Sequence, residues 1–160
     1  MRFFHVFAVA ALAMTACAPQ NTQEPPAAAQ IAAVHPESGL NIIPLTVTSG
    51  NTRHEFQVEV AASDADQAKG LMFRTQLGPD EGMIFPRTPP DIASFWMKNT
   101  PLPLDIIFVG TDGRILNIAA NTVPYSLDPV RSAGMTGTVL EIAGGRAEEL
   151  GITAGDLVEY

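Results

Sequence analysis

The first periodic pattern in the chain is an alternation of apolar and polar residues over residues 42–48, which recurs over residues 54–60. A period of two is typical of strands with one solvent-exposed face. The Ser-Gly-Asn sequence at residues 49–51 favours a turn. The pattern therefore predicts a β-hairpin in which Glu59 belongs to the polar face. Pro44 suggests that the first strand lies at a sheet edge.

Helical spacing replaces the alternation after this hairpin. Ser63 and Asp66 have the spacing of a capping box, in which a hydroxyl and a carboxylate satisfy free backbone N–H groups at the start of a helix. Ala61, Ala65, Ala68 and Met72 recur at helical spacing and predict a thin apolar stripe that packs against a sheet.

Short apolar runs separated by turn residues occupy the rest of the chain. The Asp112-Gly113 pair predicts a hairpin turn. Residues 122–134 show no period, and such a long loop in a compact domain is typical of a lid or a binding loop. The runs predict strands at residues 83–85, 94–98, 104–109, 114–120, 138–142 and 157–160, and a short helix at residues 145–150 that ends at Gly151.

The elements together indicate an α+β, β-rich domain. About seven short strands accompany two short helices, and the hairpins argue against a parallel βαβ sheet. We expect a compact sheet or a partly closed small barrel. A chain of 160 residues that is 46% apolar has enough material for one buried core.

The formal net charge of −8 bears on possible partners. Nucleic acids and anionic lipids both attract clusters of Lys and Arg, so an acidic chain is expected to bind neither through its surface charge. The charge otherwise favours solubility.

The N-terminus predicts export. Arg2 precedes an apolar segment at residues 3–13, which is shorter than the roughly 20 residues that span a bilayer. Met14-Thr15-Ala16-Cys17 resembles a bacterial lipobox. We expect residues 1–16 to be a signal peptide and Cys17 to be lipidated on the periplasmic side of a bacterial membrane. In the alternative, an ordinary secretory signal is cleaved nearby and Cys17 is unmodified.

Residues 17–39 follow as a predicted disordered tether, because they are rich in Ala, Pro and Gln and lack apolar periodicity. Ala18 leaves the position after the cysteine without a retention-type Asp, which favours the outer membrane by analogy with enteric bacteria. Residues 40–160 are predicted to form a single globular domain.

A series of short motifs in residues 56–160 resembles a known family. These motifs are Lys69-Gly70-Leu71-Met72-Phe73-Arg74, Gly82-Met83-Ile84-Phe85, Phe95-Trp96-Met97-Lys98-Asn99-Thr100, Pro103-Leu104-Asp105, Val139-Leu140-Glu141 and Gly155-Asp156. In this order they are similar to the bacterial and archaeal domain-of-unknown-function family 192, although Lys69 stands where that family more often has Arg. The resemblance implies a compact, mostly β fold, often behind a signal peptide. It implies no activity, substrate or cofactor.

Asp105 is the carboxylate that the apolar pattern singles out, because apolar residues flank it. A buried carboxylate must be paired, hydrogen-bonded or protonated. We expect Asp105 to accept backbone N–H groups from the turn at residues 99–102, to pair with Arg74 or Lys98, or to contact a ligand or act in acid–base chemistry. With Glu141 it would supply the two carboxylates of a glycoside hydrolase.

Trp96 is the second candidate, because strand parity puts it on the more polar side. There it would stack on a ligand ring, or another element would cover it. The candidate ligand-binding residues are therefore Arg74, Trp96, Lys98, Asn99, Asp105 and Glu141.

Metal, cofactor and nucleophile chemistry have little support. The methionines form no closely spaced pair for copper and are common core residues. His35 and His54 are too few for zinc, and no nucleophile elbow is present. We expect no metal and no cofactor.

Three functions remain open. The first is a lipid-anchored, non-catalytic module that binds a small ligand or an envelope protein through Trp96, Asn99, Asp105 and the loop at residues 122–134. The second is an enzyme acting on envelope carbohydrate or peptide with Asp105 and Glu141. The third is a structural or assembly lipoprotein.

Overall fold

The computed structural model describes residues 33–160. The predicted signal peptide, Cys17 and most of the predicted tether lie outside these residues. Residues 33–160 contain ten strands and two short helices. The elements are β1 (Ala33–Val34), β2 (Asn41–Ser49), β3 (Thr52–Val60), α1 (Asp64–Lys69), β4 (Glu81–Asp91), β5 (Ser94–Phe95), β6 (Leu104–Gly110), β7 (Ile115–Ala119), β8 (Val130–Arg131), β9 (Thr136–Ala143), α2 (Arg146–Leu150) and β10 (Leu157–Glu159).

The predicted hairpin is confirmed as β2 and β3, which pair antiparallel from Ile42 with Glu59 to Ser49 with Thr52. The edge position predicted from Pro44 is wrong. On the side away from β3, β1 pairs with the start of β2 and β10 pairs with its end. Pro44 falls between these two partners, so the residue without an N–H group lies where the outer pairing is interrupted.

A parallel crossover joins β3 to β4 through α1. The sheet is therefore mixed, with one parallel pair among antiparallel pairs, and it is not the parallel βαβ sheet that the hairpins argued against. The predicted capping box between Ser63 and Asp66 is confirmed. The predicted apolar stripe is wrong, because α1 buries none of its residues. The helix is only six residues long and connects two strands without covering the sheet.

The main sheet contains eight strands in the order β1-β2-β3-β4-β9-β6-β7, with β10 paired to β2. A bridge between Arg114 and Leu157 brings β10 beside the start of β7, but the strand pairing within residues 33–160 forms no closed barrel. The β-rich class with two short helices is confirmed. β4 runs on past Pro86, where the sequence predicted its end, to Asp91.

The central strands send alternate residues to two core layers. Ile107 and Val109 of β6 belong to the first layer, which lies with β2, β3 and α2. Leu104, Ile106 and Phe108 belong to the second layer, which lies with the segments that follow α1 and β5. All seven residues of β6 are buried, as the uninterrupted apolar run predicted.

The predicted strand at residues 94–98 is shorter in the structure, where only β5 forms. Its partner is β8, which lies inside the predicted loop of residues 122–134. The loop is further fixed by hydrogen bonds from the backbone N–H groups of Met97 to Ser126 O and of Tyr125 to Thr100 O. It is therefore packed against the segment that carries Trp96.

Candidate functional site

A cavity of about 320 Å³ opens over the second core layer. The end of α1 and the residues after it form one wall, and β4, β5 and the segment after β5 form the others. Its lining residues are Gln67, Ala68, Lys69, Gly70, Leu71, Met72, Phe85, Arg87, Ser94, Phe95, Trp96, Thr100 and Glu141.

Glu141 supplies the buried carboxyl of this cavity. It lies on β9 between Met83 of β4 and Ile106 of β6, both of which are fully buried. The residue is only 5% exposed. Among residues 33–160, its carboxyl has no ion-pair or hydrogen-bond partner. Burial raises its pKa to about 8, so Glu141 is mostly protonated at neutral pH.

Trp96 stands at the same cavity and is 49% exposed. Its neighbours Phe95 and Met97 pack into the second core layer, which confirms the strand parity predicted for this segment. The ammonium of Lys98 lies 5.1 Å from the centroid of the Trp96 ring. No element of the described part of the chain covers the indole completely, because half of the residue is exposed.

The two basic residues of the cavity wall differ in their surroundings. Arg87 donates through Nε to Asp91 at 2.9 Å and through Nη1 to Gln67 at 3.2 Å. The hydrogen bond from Arg87 lowers the pKa of Asp91. Lys69 is exposed and makes no salt bridge with any described residue. The cavity therefore contains one neutralised guanidinium and one solvated ammonium.

Three residues beside the cavity have the left-handed backbone conformation that L-residues rarely adopt: Phe73, Asn99 and Tyr125. The backbone N–H of Phe73 donates to Asn99 O, and that of Tyr125 donates to Thr100 O. Phe73 is 69% exposed and Tyr125 is 62% exposed. The turn at Asn99 and Thr100 thus accepts backbone hydrogen bonds from two exposed aromatic residues, both in a backbone conformation that is enriched at functional sites.

Asp105 lies away from the cavity, on the face of the sheet that carries Ile107 and Val109. It is fully buried. Its Oδ1 accepts the backbone N–H groups of Asn121 at 2.7 Å and Gly145 at 2.9 Å, and its Oδ2 accepts that of Ala147 at 2.8 Å. The carboxylate ties α2 and the end of β7 to β6. These donors are not those of the expected turn, and Asp105 pairs with neither Arg74 nor Lys98.

Asp105 and Glu141 project from opposite faces of the sheet. Ile106, which pairs with Glu141, belongs to the second core layer, whereas Asp105 follows the parity of the first. The structure therefore does not bring together the two carboxylates that the glycoside-hydrolase hypothesis requires on either side of one bond.

Arg74 is also separate from the cavity. It is buried, and its Nη2 lies 2.8 Å from both carboxylate oxygens of Glu59. Its Nε lies 3.1 Å from Glu37. Glu59 is buried by this pair and by contacts with Ser38 and His35, so its predicted place on a solvent-exposed face is wrong. These contacts join residues 35–38, within the predicted tether, to the folded domain.

Of the six candidates, Trp96 and Glu141 line the cavity, and Lys98 contacts Trp96. The carbonyl oxygen of Asn99 accepts the backbone N–H of Phe73, and the side-chain amide of Asn99 approaches Met72. Sequence reasoning missed the wall supplied by Lys69, Gly70 and Met72. These residues belong to the first motif of the family resemblance, but no chemical pattern marked them as site residues.

Residues 33–160 contain neither a helix that could span a membrane nor a cluster that could bind a metal. No helix in this range has the length and hydrophobicity needed to cross a membrane. No three His, Cys, Asp or Glu residues in it are grouped so that they could hold a metal ion. Cys17, the predicted lipid attachment site, lies outside this range.

The fold and the cavity define a β-rich α+β domain with a buried carboxyl beneath an exposed indole. The sequence pattern of DUF192, described as an uncharacterized family, matches residues 45–160. The chain belongs to this domain-of-unknown-function family. No curated protein matches the sequence.

Similar solved structures include two that match most of this chain. The first is a protein of unknown function from Novosphingobium aromaticivorans DSM 12444, with 61% identity and a TM-score of 0.80, over 82% of this chain and 94% of that one. The second is from Sinorhizobium meliloti 1021 and carries a proposed designation as a transcription regulator. It has 35% identity and a TM-score of 0.73, over 75% of this chain and 94% of that one.

Proposed function

We propose that this protein is a non-catalytic binding module that takes a small ligand in the cavity between Trp96 and Glu141. The observation that carries the proposal is the Glu141 carboxyl, which is buried at the cavity and has no partner among residues 33–160. Burying a polar group without a hydrogen bond costs free energy. A titratable group that burial perturbs in a cleft is more often found at a functional site than elsewhere.

The rest of the cavity supports the same proposal. Ligand sites are concave, mostly apolar and furnished with a few polar groups that fix orientation. Phe85, Phe95 and Trp96 supply the apolar walls, and Gln67, Ser94 and Thr100 supply polar atoms beside them.

The module is exported and anchored to the periplasmic side of a bacterial membrane by lipid at Cys17, with the outer membrane favoured. This part of the proposal rests on the N-terminal sequence alone. We further propose that the domain curls into a partly closed barrel. Hydrogen bonds from Val158 N to Gly113 O and from Ile115 N to Asp156 O support this description.

Other functions have less support. An enzyme that uses Asp105 with Glu141 is disfavoured by their positions on opposite faces of the sheet. The designation of the Sinorhizobium protein raises nucleic-acid binding, which the net charge of −8 disfavours. If no small molecule binds, a structural or assembly role is the remaining hypothesis.

A ligand panel tests the proposal. The full chain is screened by thermal shift against envelope sugars, muropeptides, amines, carboxylates and nucleotides, with Trp96 fluorescence as a second signal. A ligand at about 100 times its dissociation constant stabilises the fold by about 2.7 kcal/mol. We expect at least one class to change both signals, because Trp96 is the single Trp of the chain.

A pair of variants on α1 locates the binding. Ala68 lines the cavity and Ala65 does not, although both are exposed on the same helix. Ala68→Leu should weaken binding by narrowing the cavity, and Ala65→Leu should leave it unchanged. A panel without a hit, or equal effects of the two variants, would contradict a ligand site in this cavity.

A further inference from the structure

We infer that the ligand of this cavity is an organic cation, with its positive group beside the Glu141 carboxylate and its apolar part against Trp96 and Phe95. The inference rests on the proposed function and specifies the chemical class of its ligand. Three observations support it: the unpaired carboxyl, the charges around it and the aromatic walls.

The first observation is that the Glu141 carboxyl has no hydrogen-bond partner among the described residues. Its immediate strand neighbours Met83 and Ile106 are apolar, and no described donor lies within hydrogen-bond distance. Asp105, by contrast, is buried on the same sheet and accepts three backbone N–H groups. The fold therefore satisfies one buried carboxyl completely and leaves the other open toward a cavity. A cationic ligand would supply the missing charge, and a cation that carries an N–H group would also supply a donor.

The second observation is that none of the charged groups described around the cavity is a counter-ion of Glu141. From β4, Arg87 is engaged by Asp91 and Gln67. From α1, Lys69 is exposed to solvent, where water and salt screen its charge. From the segment after β5, Lys98 lies over the Trp96 ring. Burial is the cause of the raised pKa of Glu141, so neither Lys69 nor Arg87 compensates for it.

The third observation is the aromatic character of the walls. Phe85, Phe95 and Trp96 line the cavity, and the Phe85 and Phe95 rings meet edge to face with centroids 5.1 Å apart. Aromatic faces attract ammonium groups, and Trp does so best. The Lys98 ammonium already lies over Trp96, which demonstrates that this indole accepts a cation at one face. A buried carboxylate near aromatic rings is the combination that selects an organic cation over a neutral solute.

Other ligand classes would use the same cavity differently. A neutral polyhydroxy ligand would take a hydrogen bond from the protonated carboxyl, and its binding would be lost when Glu141 ionises. An anionic ligand would depend on the solvated ammonium of Lys69 at the cavity wall and would be repelled by the Glu141 carboxylate above the pKa of Glu141. Only a cation should bind more tightly as the pH rises.

Three probes with the same ring separate these classes: benzyltrimethylammonium, benzyl alcohol and benzoate. The first two do not titrate between pH 6 and 9, and benzoate stays ionised. Binding to the full chain is followed by Trp96 fluorescence and by calorimetry. We expect only benzyltrimethylammonium to bind, with a dissociation constant that falls about tenfold per pH unit from pH 6 toward the Glu141 pKa of about 8 and levels off above it.

Matched variants test whether the Glu141 carboxylate is the negative charge that attracts the cation. Glu141→Gln should weaken binding of the cation at pH 8.5 by at least about tenfold, and the exposed Glu55→Gln should leave it unchanged although it removes the same charge. Lys69→Gln should tighten it, since it removes the solvated ammonium at the wall. If Glu141→Gln does not fold, the pH dependence of cation binding to the unmodified protein still tests the inference.

Preferential binding of benzyl alcohol or benzoate would overturn the inference and leave the proposed binding function standing. Equal binding of the three probes would overturn it too, as would cation binding that is independent of pH. If the cation does not bind while another class in the wider panel does, the ligand class is wrong. If nothing in either set binds, the binding function itself is wrong.

Discussion

The carboxyl of Glu141 is largely buried on folding and has no hydrogen-bond or ion-pair partner among the described residues. Its pKa is raised from 4.5 to about 8 by burial. Between these values the unfolded chain releases the proton while the folded protein keeps it, so the folded state binds more protons. The contribution of Glu141 to the free energy of unfolding therefore falls as the pH rises through this window.

We predict that stability measured by urea unfolding declines between about pH 4.5 and pH 8 with a contribution of up to roughly 1.4 kcal/mol per pH unit from Glu141. In Glu141→Gln this contribution disappears and the profile flattens. Glu55→Gln, with its exposed side chain, serves as the control and should keep the unmodified slope. Equal slopes for the protein and for Glu141→Gln would show that the carboxyl ionises normally.

Asp105 has the opposite role, because its two oxygens accept three backbone N–H groups from two other segments. Asp105→Asn replaces one acceptor oxygen by an NH₂ group that faces a backbone donor. We expect a loss of about 1–3 kcal/mol of stability, measured by chemical unfolding, and unchanged probe binding in the fraction that folds. Asp128→Asn, at an exposed position, should be neutral. A stable Asp105→Asn variant that fails to bind the probe would show that Asp105 belongs to the ligand site.

The sequence identified Asp105 and Trp96 as candidate site residues but could assign only part of their roles. A carboxylate within an apolar strand has to be satisfied, and this followed from the pattern alone. Its donors come from residues 121, 145 and 147, which no local pattern connects to it. Trp96 was placed on the polar side by strand parity, and this is confirmed. Glu141 was proposed as the partner of Asp105, whereas the strand register puts it on the other face.

At the scale of elements, the packing of β4 against β9 positions Glu141. Gly82 makes this close approach possible, because a Cβ there would lie 2.5 Å from the carbonyl oxygen of Glu141 and 3.1 Å from Ile142. Both contacts involve central strands, which have little room to move apart.

Gly82→Ala should therefore destabilise the protein by about 1–3 kcal/mol and weaken binding at the cavity. Gly134→Ala is the matched control, since its new Cβ would meet nothing closer than 3.7 Å and should change stability by less than about 1 kcal/mol. Thermal and urea unfolding measure both. Equal effects of the two variants would mean that strand approach at Gly82 does not limit the fold.

Local signals at this scale predicted elements better than they predicted their partners. The β2–β3 hairpin, the Ser63 capping box, the buried β6 strand and the Gly151 helix end all follow from spacing within a few residues. The parallel pairing of β3 with β4 joins residues more than twenty positions apart and was missed. The sequence predicted an apolar stripe on α1, but the helix buries none of its residues. The segment that follows the helix covers the core instead.

For the whole molecule, the N-terminal sequence predicts that the folded domain is held at a membrane by lipid on Cys17. Cys17→Ser should move the protein from the membrane fraction to the soluble fraction when the full chain is expressed in a bacterial host. Reagents that label acyl chains should lose their signal at the same time. Unchanged fractionation would contradict lipid anchoring without affecting the account of the cavity.

The measurement that tests the central claim most directly is the pH titration of the Glu141 side-chain carboxyl by carbon-13 NMR, with Glu141→Gln used to assign the resonance. The account predicts a midpoint near pH 8 in the free protein and a lower midpoint with benzyltrimethylammonium bound. A midpoint near the ordinary value of 4.5 that does not move with the probe would contradict it.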